Sequence, residues 1–170
     1  MADPELIARA RVAQAALDRF GGRPLAWGER DCAHLAKFVL MRLGHGNPLK
    51  GVKPYRGEVG AVRALHHAER TAGAPPGAGL AAILDAMGLQ RIAPADALPC
   101  DLVGLAGPEP FGIALAVAVG NGKALAFAAA PQMGGEPRGM VGEMLALFRT
   151  PEGEESTVAR MAWRVPPCLK

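Results

Sequence analysis

Pro24-Leu25-Ala26-Trp27-Gly28-Glu29-Arg30-Asp31-Cys32 runs directly into Ala33-His34-Leu35-Ala36-Lys37-Phe38-Val39-Leu40-Met41-Arg42-Leu43, and this junction decides how the rest of the chain is read. Leu35, Ala36, Phe38, Val39, Leu40, Met41 and Leu43 are apolar, so a helix from Asp31 or Cys32 to about Leu43 is buried on most sides. Asp31 is a good N-cap for it. Cys32 then falls in the first turn, where unpaired N–H groups and the helix dipole favour negative charge. A thiolate is stabilised in such a place, so the expected Cys32 pKa is low and the residue is a candidate nucleophile. Trp27 would wall the site. A single cysteine opening an apolar helix also reads as a small buried residue.

Upstream, Leu6, Ile7, Ala10, Val12, Ala13, Ala16, Leu17 and Phe20 recur at helical spacing, so the expected first helix covers Pro4 to Phe20 and ends at Gly21-Gly22. Downstream, a third helix is expected over Val59 to Thr71 and a fourth over Leu80 to Met87, stopped by Gly88. Near residue 89 the character changes to short strands. Expected strands are Leu102 to Ala106, Phe111 to Val119, Lys123 to Ala128, Met140 to Val141, and Ala159 to Val165. Gly120-Asn121-Gly122 marks a tight hairpin, because Asn-Gly accepts positive φ readily. Glu152 to Ser156 reads as an exposed acidic loop. Helices followed by an antiparallel sheet make an α+β layout in one domain over residues 1–170, with a helical half to about 88 and a β-rich half from about 89.

Composition narrows the function classes. Half of the 170 residues are hydrophobic, enough for a real core. The net charge is only +3, and no run of basic residues forms the clustered charge that a nucleic-acid groove needs, so no nucleic-acid partner is expected. The longest apolar run, Phe111 to Val119, is too short to span a bilayer, so no membrane insertion is expected. The first eleven residues lack the pattern of a signal peptide, which points to a protein made in a cytoplasm. Cys32, Cys100 and Cys168 are odd in number and widely spaced, so they form no disulfide framework and no zinc site. No cofactor or metal is expected.

The pattern W-G-x-x-D-C opening a buried helix, with helices first and strands after, resembles the NlpC-like branch of the papain superfamily. These are cysteine hydrolases that cut peptide bonds in bacterial cell-wall murein. The chain is more closely similar to a group of such domains encoded in tail modules of bacteriophages and prophages. Met161-Ala162-Trp163-Arg164-Val165 resembles that group's closing strand, and the likeness covers about residues 20 to 165. It implies a papain-like fold, Cys32 as nucleophile with Asp31 and Trp27 beside it, and a "G-D-hydrophobic" strand after the helices. Cys100-Asp101-Leu102-Val103 stands there, with Cys100 in the glycine's place. The family's next strand carries the catalytic histidine. Counting back from Gly120-Asn121-Gly122 puts that position near Ala114, which cannot move a proton. The polar group that would orient the histidine falls near Ala126 to Ala128 and is also missing.

No histidine follows His67. His34 lies two residues after Cys32 and points to another face. His45 lies roughly 20 Å away along the helix. His66 and His67 remain as substitute bases. Two expectations follow from the resemblance. The first is a structural component of a phage or prophage tail, at the tail tip or in tail assembly, with a degenerate hydrolase fold and other tail proteins as partners. It would be made in the bacterial cytoplasm and end in the virion. The alternative is an active cysteine peptidase or amidase on murein peptides, with Cys32 as nucleophile, its own backbone N–H in the oxyanion hole, and His66 or His67 as base. An unrelated small α+β binding protein is the third possibility.

Overall fold

The computed structural model describes residues 3–129, 140–146 and 159–168. Four helices come first: α1 (Pro4–Phe20), α2 (Cys32–Arg42), α3 (Gly57–Ala72) and α4 (Gly79–Ala86). Six strands follow: β1 (Gln90–Ile92), β2 (Leu102–Ala106), β3 (Ile113–Gly120), β4 (Lys123–Ala129), β5 (Met140–Ala146) and β6 (Met161–Arg164). They form one antiparallel sheet in the order β1-β6-β2-β3-β4-β5. The α+β layout is therefore present, helices first and sheet second. β1 was not foreseen, and β5 runs five residues beyond the expected Met140 to Val141. The acidic stretch Glu152 to Ser156 lies outside the described residues.

Strand alternation sorts the sheet into two faces. Leu102, Ile113, Leu115, Val117, Leu125, Phe127 and Trp163 pack with Ala13, Ala16 and Phe20 of α1 and with Leu35, Val39 and Leu40 of α2. Val103, Leu105, Ala116, Ala118, Ala124, Ala126 and Ala162 form a second cluster on the opposite face. The small side chains of that second set leave the helix-facing core as the one with bulk. Phe20 anchors it with edge-on contacts to Phe38 at 5.7 Å and Phe127 at 6.4 Å between ring centroids.

Two polar ties lock the helices to the sheet. Arg9, fully buried on α1, donates to Asp101 Oδ1 and to the Pro99 carbonyl, both at 3.0 Å. Asp101 also accepts from the backbone N–H groups of Leu98 and Val165, at 2.9 Å each, so one buried carboxylate ties the start of β2 to the end of β6. Trp163 of β6 is completely buried and donates from Nε1 to Asp85 of α4 at 2.8 Å. The expected hairpin is present: Asn121 has φ 53° and Gly122 φ 67°, as a mirror-image two-residue turn requires. Among the described residues, no helix is long and apolar enough to cross a membrane.

Candidate functional site

The turn before α2 is built around Gly28. Ala26 and Arg30 close a short antiparallel bridge, and Gly28 between them has φ 81°. A Cβ there would stand 2.0 Å from the Tyr55 carbonyl oxygen, so only glycine lets the turn press against the 50–56 loop. That close approach brings Tyr55 to Asp31.

Asp31 is the hub. Its Oδ1 caps α2 by accepting the His34 N–H at 2.9 Å, and also meets His34 Nδ1 at 2.9 Å. Its Oδ2 accepts the Gly28 N–H at 2.8 Å and the Tyr55 hydroxyl at 2.7 Å. Burial works against the charged carboxylate, but the hydrogen bonds from the His34 and Tyr55 side chains, then those from the Gly28 and His34 backbones, outweigh it and hold Asp31 below the usual carboxylate range. Burial and then the Asp31 charge push the Tyr55 hydroxyl up, so it stays a protonated donor. Asp31 is thus a structural cap and loop anchor.

Cys32 occupies the first position of α2, as expected, and packs partly buried against the core. Its expected acidity is not found. Burial pushes the thiol up to about 11, and the Asp31 carboxylate adds to the rise. Backbone N–H groups of Leu115, Ala33 and Cys32 itself pull the other way without prevailing. The helix terminus that seemed to favour a thiolate is outweighed chiefly by burial of the thiol, to which the anionic N-cap in the adjacent position adds.

Across from the sulfur stands β3, and the residue there is Leu115. Leu115 and Cys32 line one narrow apolar cavity of about 50 Å³ between α2, α3 and α4. Trp27, Phe111 and Tyr55 line its walls as well, with Trp27 stacked on Phe111 at 6.4 Å and 22°. Ala114 is not at this position. It pairs with Leu105 and belongs to the cluster on the far face of the sheet. One residue of strand register separates the two, and that step reverses the face. Counting back along the sequence from the Gly120-Asn121-Gly122 hairpin puts the family's histidine position near Ala114, and the fold sets Ala114 with Ala116 and Ala118 on the face away from Cys32. The same alternation turns Ala126 to the far face and Phe127 to the helices.

All four histidines are described, and none of the groups bonded to Cys32 is a histidine ring. His34 is held by Asp31 and lies 3.4 Å from the Tyr55 hydroxyl. His45 bonds the Pro166 carbonyl at 2.7 Å and sits 3.9 Å from the Cys168 sulfur. His66 is exposed on α3, and His67 lines a separate groove with the 51–56 loop. Neither lines the Cys32 cavity. Tyr55 is the site residue that sequence reasoning missed. Its role depends on a loop closing over Gly28, and a lone tyrosine between Pro54 and Arg56 carries no periodic signal. Among the described residues, no group of three or more His, Cys, Asp or Glu side chains is placed to hold a metal ion.

In comparison with known proteins, residues 7–150 fit the family model described as "Domain of unknown function (DUF6950)". No curated protein and no solved structure matches the chain.

Proposed function

The chain belongs to the DUF6950 family through most of its length, and from its site we propose that it is a catalytically silent, papain-like domain of the NlpC type that serves as a structural component of a phage or prophage tail. The observation that carries the silent half of this reading is Leu115. A hydrolase of this class needs a base that takes the thiol proton and returns it to the leaving amine. Here the β3 residue at the site, Leu115, reaches the thiol with its backbone N–H, lines the same cavity and offers no base, and the thiol is held up near 11. At neutral pH such a thiol is almost wholly protonated, and the thiolate is the nucleophile. The papain-like identity and the tail setting are supported by the resemblance of Trp27 to Cys32 and of Met161 to Val165 to tail-module domains, and by helices preceding an antiparallel sheet.

The rest of the site fits a scaffold. Asp31, Tyr55 and Gly28 lock loop to helix, and Trp27 stacked on Phe111 lines the cavity with apolar surface. Two measurements test the proposal. The purified chain, incubated with murein peptides, is expected to release no product above a Cys32→Ala control. Deleting its gene from a phage or prophage that carries it is expected to abolish tail assembly, and the Cys32→Ala chain is expected to restore it. Cleavage that depends on Cys32 would establish the hydrolase reading instead; normal tails without the gene would remove the structural one.

A further inference from the structure

A second concavity lies beside the Cys32 cavity, between α3 and the 51–56 loop, with Tyr55 and Ala64 lining both. It has a volume of about 550 Å³, within the range of small-molecule pockets. Lys53 and Arg56 line it from the loop side, and Arg63, His67 and Arg70 from the helix. The last three are spaced four and three residues apart, so they stand on one stripe of α3. His67 closes the groove against the loop: a Cβ on Gly51 would come within 3.1 Å of its Nε2.

The charge of this groove is one-sided. Four permanent cations line it and no Asp or Glu does. The chain as a whole carries 19 Lys and Arg against 16 Asp and Glu, so a lining with four cations and no acid is not what the composition supplies by default. None of the four cations takes part in an ion pair among the described residues. Two buried acids adjoin the lining, and both are taken up elsewhere: Glu69 accepts the N–H groups of Gly77 and Gly79 at 3.1 and 2.9 Å, and Asp31 accepts from Gly28, His34 and Tyr55. Like charges gathered without partners repel one another, and an anion relieves that repulsion.

We propose that this groove binds a compact oxyanion carrying several charges, such as a short chain of phosphates or a polycarboxylate. Guanidinium groups recognise both through paired N–H donors. A compact ligand fits better than a nucleic-acid strand. Strand binding draws on a long track of phosphate contacts, and the cations here are confined to one pocket of small-molecule size. The inference is independent of the tail assignment and of the state of Cys32.

The test is calorimetric titration of the full chain with inorganic tripolyphosphate and, separately, with citrate, at about 0.15 M salt, where diffuse surface attraction is screened. Saturable binding at one site is expected. Arg63→Gln/Arg70→Gln is expected to weaken it at least about tenfold, as loss of charge-assisted hydrogen bonds does. Arg11→Gln/Lys123→Gln, which removes the same charge from exposed positions elsewhere, is expected to leave it unchanged. Tighter binding of tripolyphosphate assigns phosphate chemistry, and tighter binding of citrate assigns carboxylate. If the helix variant fails to fold, Lys53→Gln/Arg56→Gln on the loop replaces it. Absence of binding to both anions, equal weakening in the two double variants, or binding of a single-stranded oligonucleotide alone would overturn the proposal.

Discussion

Asp31 shows how one residue decides a site. A carboxylate at an N-cap usually strengthens the case for a reactive cysteine beside it, because it fixes the helix terminus. Here it also places a negative charge next to the thiol and takes up the N–H and O–H groups of Gly28, His34 and Tyr55. Asp31→Ala removes the cap and frees a buried hydroxyl, and is expected to destabilise the fold by about 2–4 kcal/mol in urea titrations. The depressed Asp31 pKa has a defined sign for acid. Its contribution is complete above the unfolded carboxylate value, near pH 4, and is lost as pH falls through the lower folded value. Asp31→Asn should therefore flatten the stability curve below about pH 4, and an unchanged acid limb would count against the hub.

Cys100 carries a second residue-scale lesson. It stands where the resembling family has glycine, and its φ is 72°. A residue with a Cβ costs about 1–2 kcal/mol in that region. The side chain is fully buried and its thiol donates to the Arg9 carbonyl at 3.0 Å, which offsets the strain. Cys100→Gly is expected to lie within about 1 kcal/mol of the parent, while Cys100→Ala keeps the strain, loses the contact and is less stable than Cys100→Gly. Thermal melts of the two variants order them.

Among elements, β3 carries the argument. If Leu115 faces Cys32, Leu115→His should bring an imidazole to the sulfur and raise its alkylation rate at neutral pH by about tenfold or more. It should also cost about 2–4 kcal/mol for the polar group buried in place of leucine. Ala114→His, on the other face, should leave the rate unchanged. The reverse ranking would show that the register is misread. The helices were legible because their apolar residues repeat at 3.6, and α1 has the expected bounds, Pro4–Phe20. β2 was legible for the same kind of reason, as a short apolar run between turns. β1 was not, because Gln90-Arg91-Ile92 is three residues long and finds its partner, Ala162 to Arg164, more than sixty positions away. The face of β3 turned toward Cys32 was not legible, because odd and even positions of Ile113 to Ala118 are all apolar and only packing separates them.

Over the whole molecule, the thiols set an alkaline limit. Cys32 is pushed from an ordinary 9.0 to about 11, and Cys100 to about 12, both chiefly by burial. An acid raised on folding stays protonated while its unfolded counterpart ionises, so stability is complete below pH 9 and falls as pH rises through the folded values. The fall from Cys32 alone is on the order of 2 kcal/mol between about pH 9 and 11, and Cys32→Ala should remove that part. The candidate site was thus legible as a place, since Trp27, Asp31 and Cys32 do meet. Its chemistry was not, because the thiol's acidity is set by its burial, the Leu115 backbone and the Asp31 charge, and only folding brings these together.

The most direct test of a silent Cys32 is the pH profile of its alkylation by iodoacetamide in the intact chain, followed peptide by peptide so that exposed Cys168 serves as internal reference. The predicted profile for Cys32 is near zero at pH 7 and rises with an apparent pKa near 11. Rapid alkylation at neutral pH, with an apparent pKa below the ordinary 9.0, would contradict it.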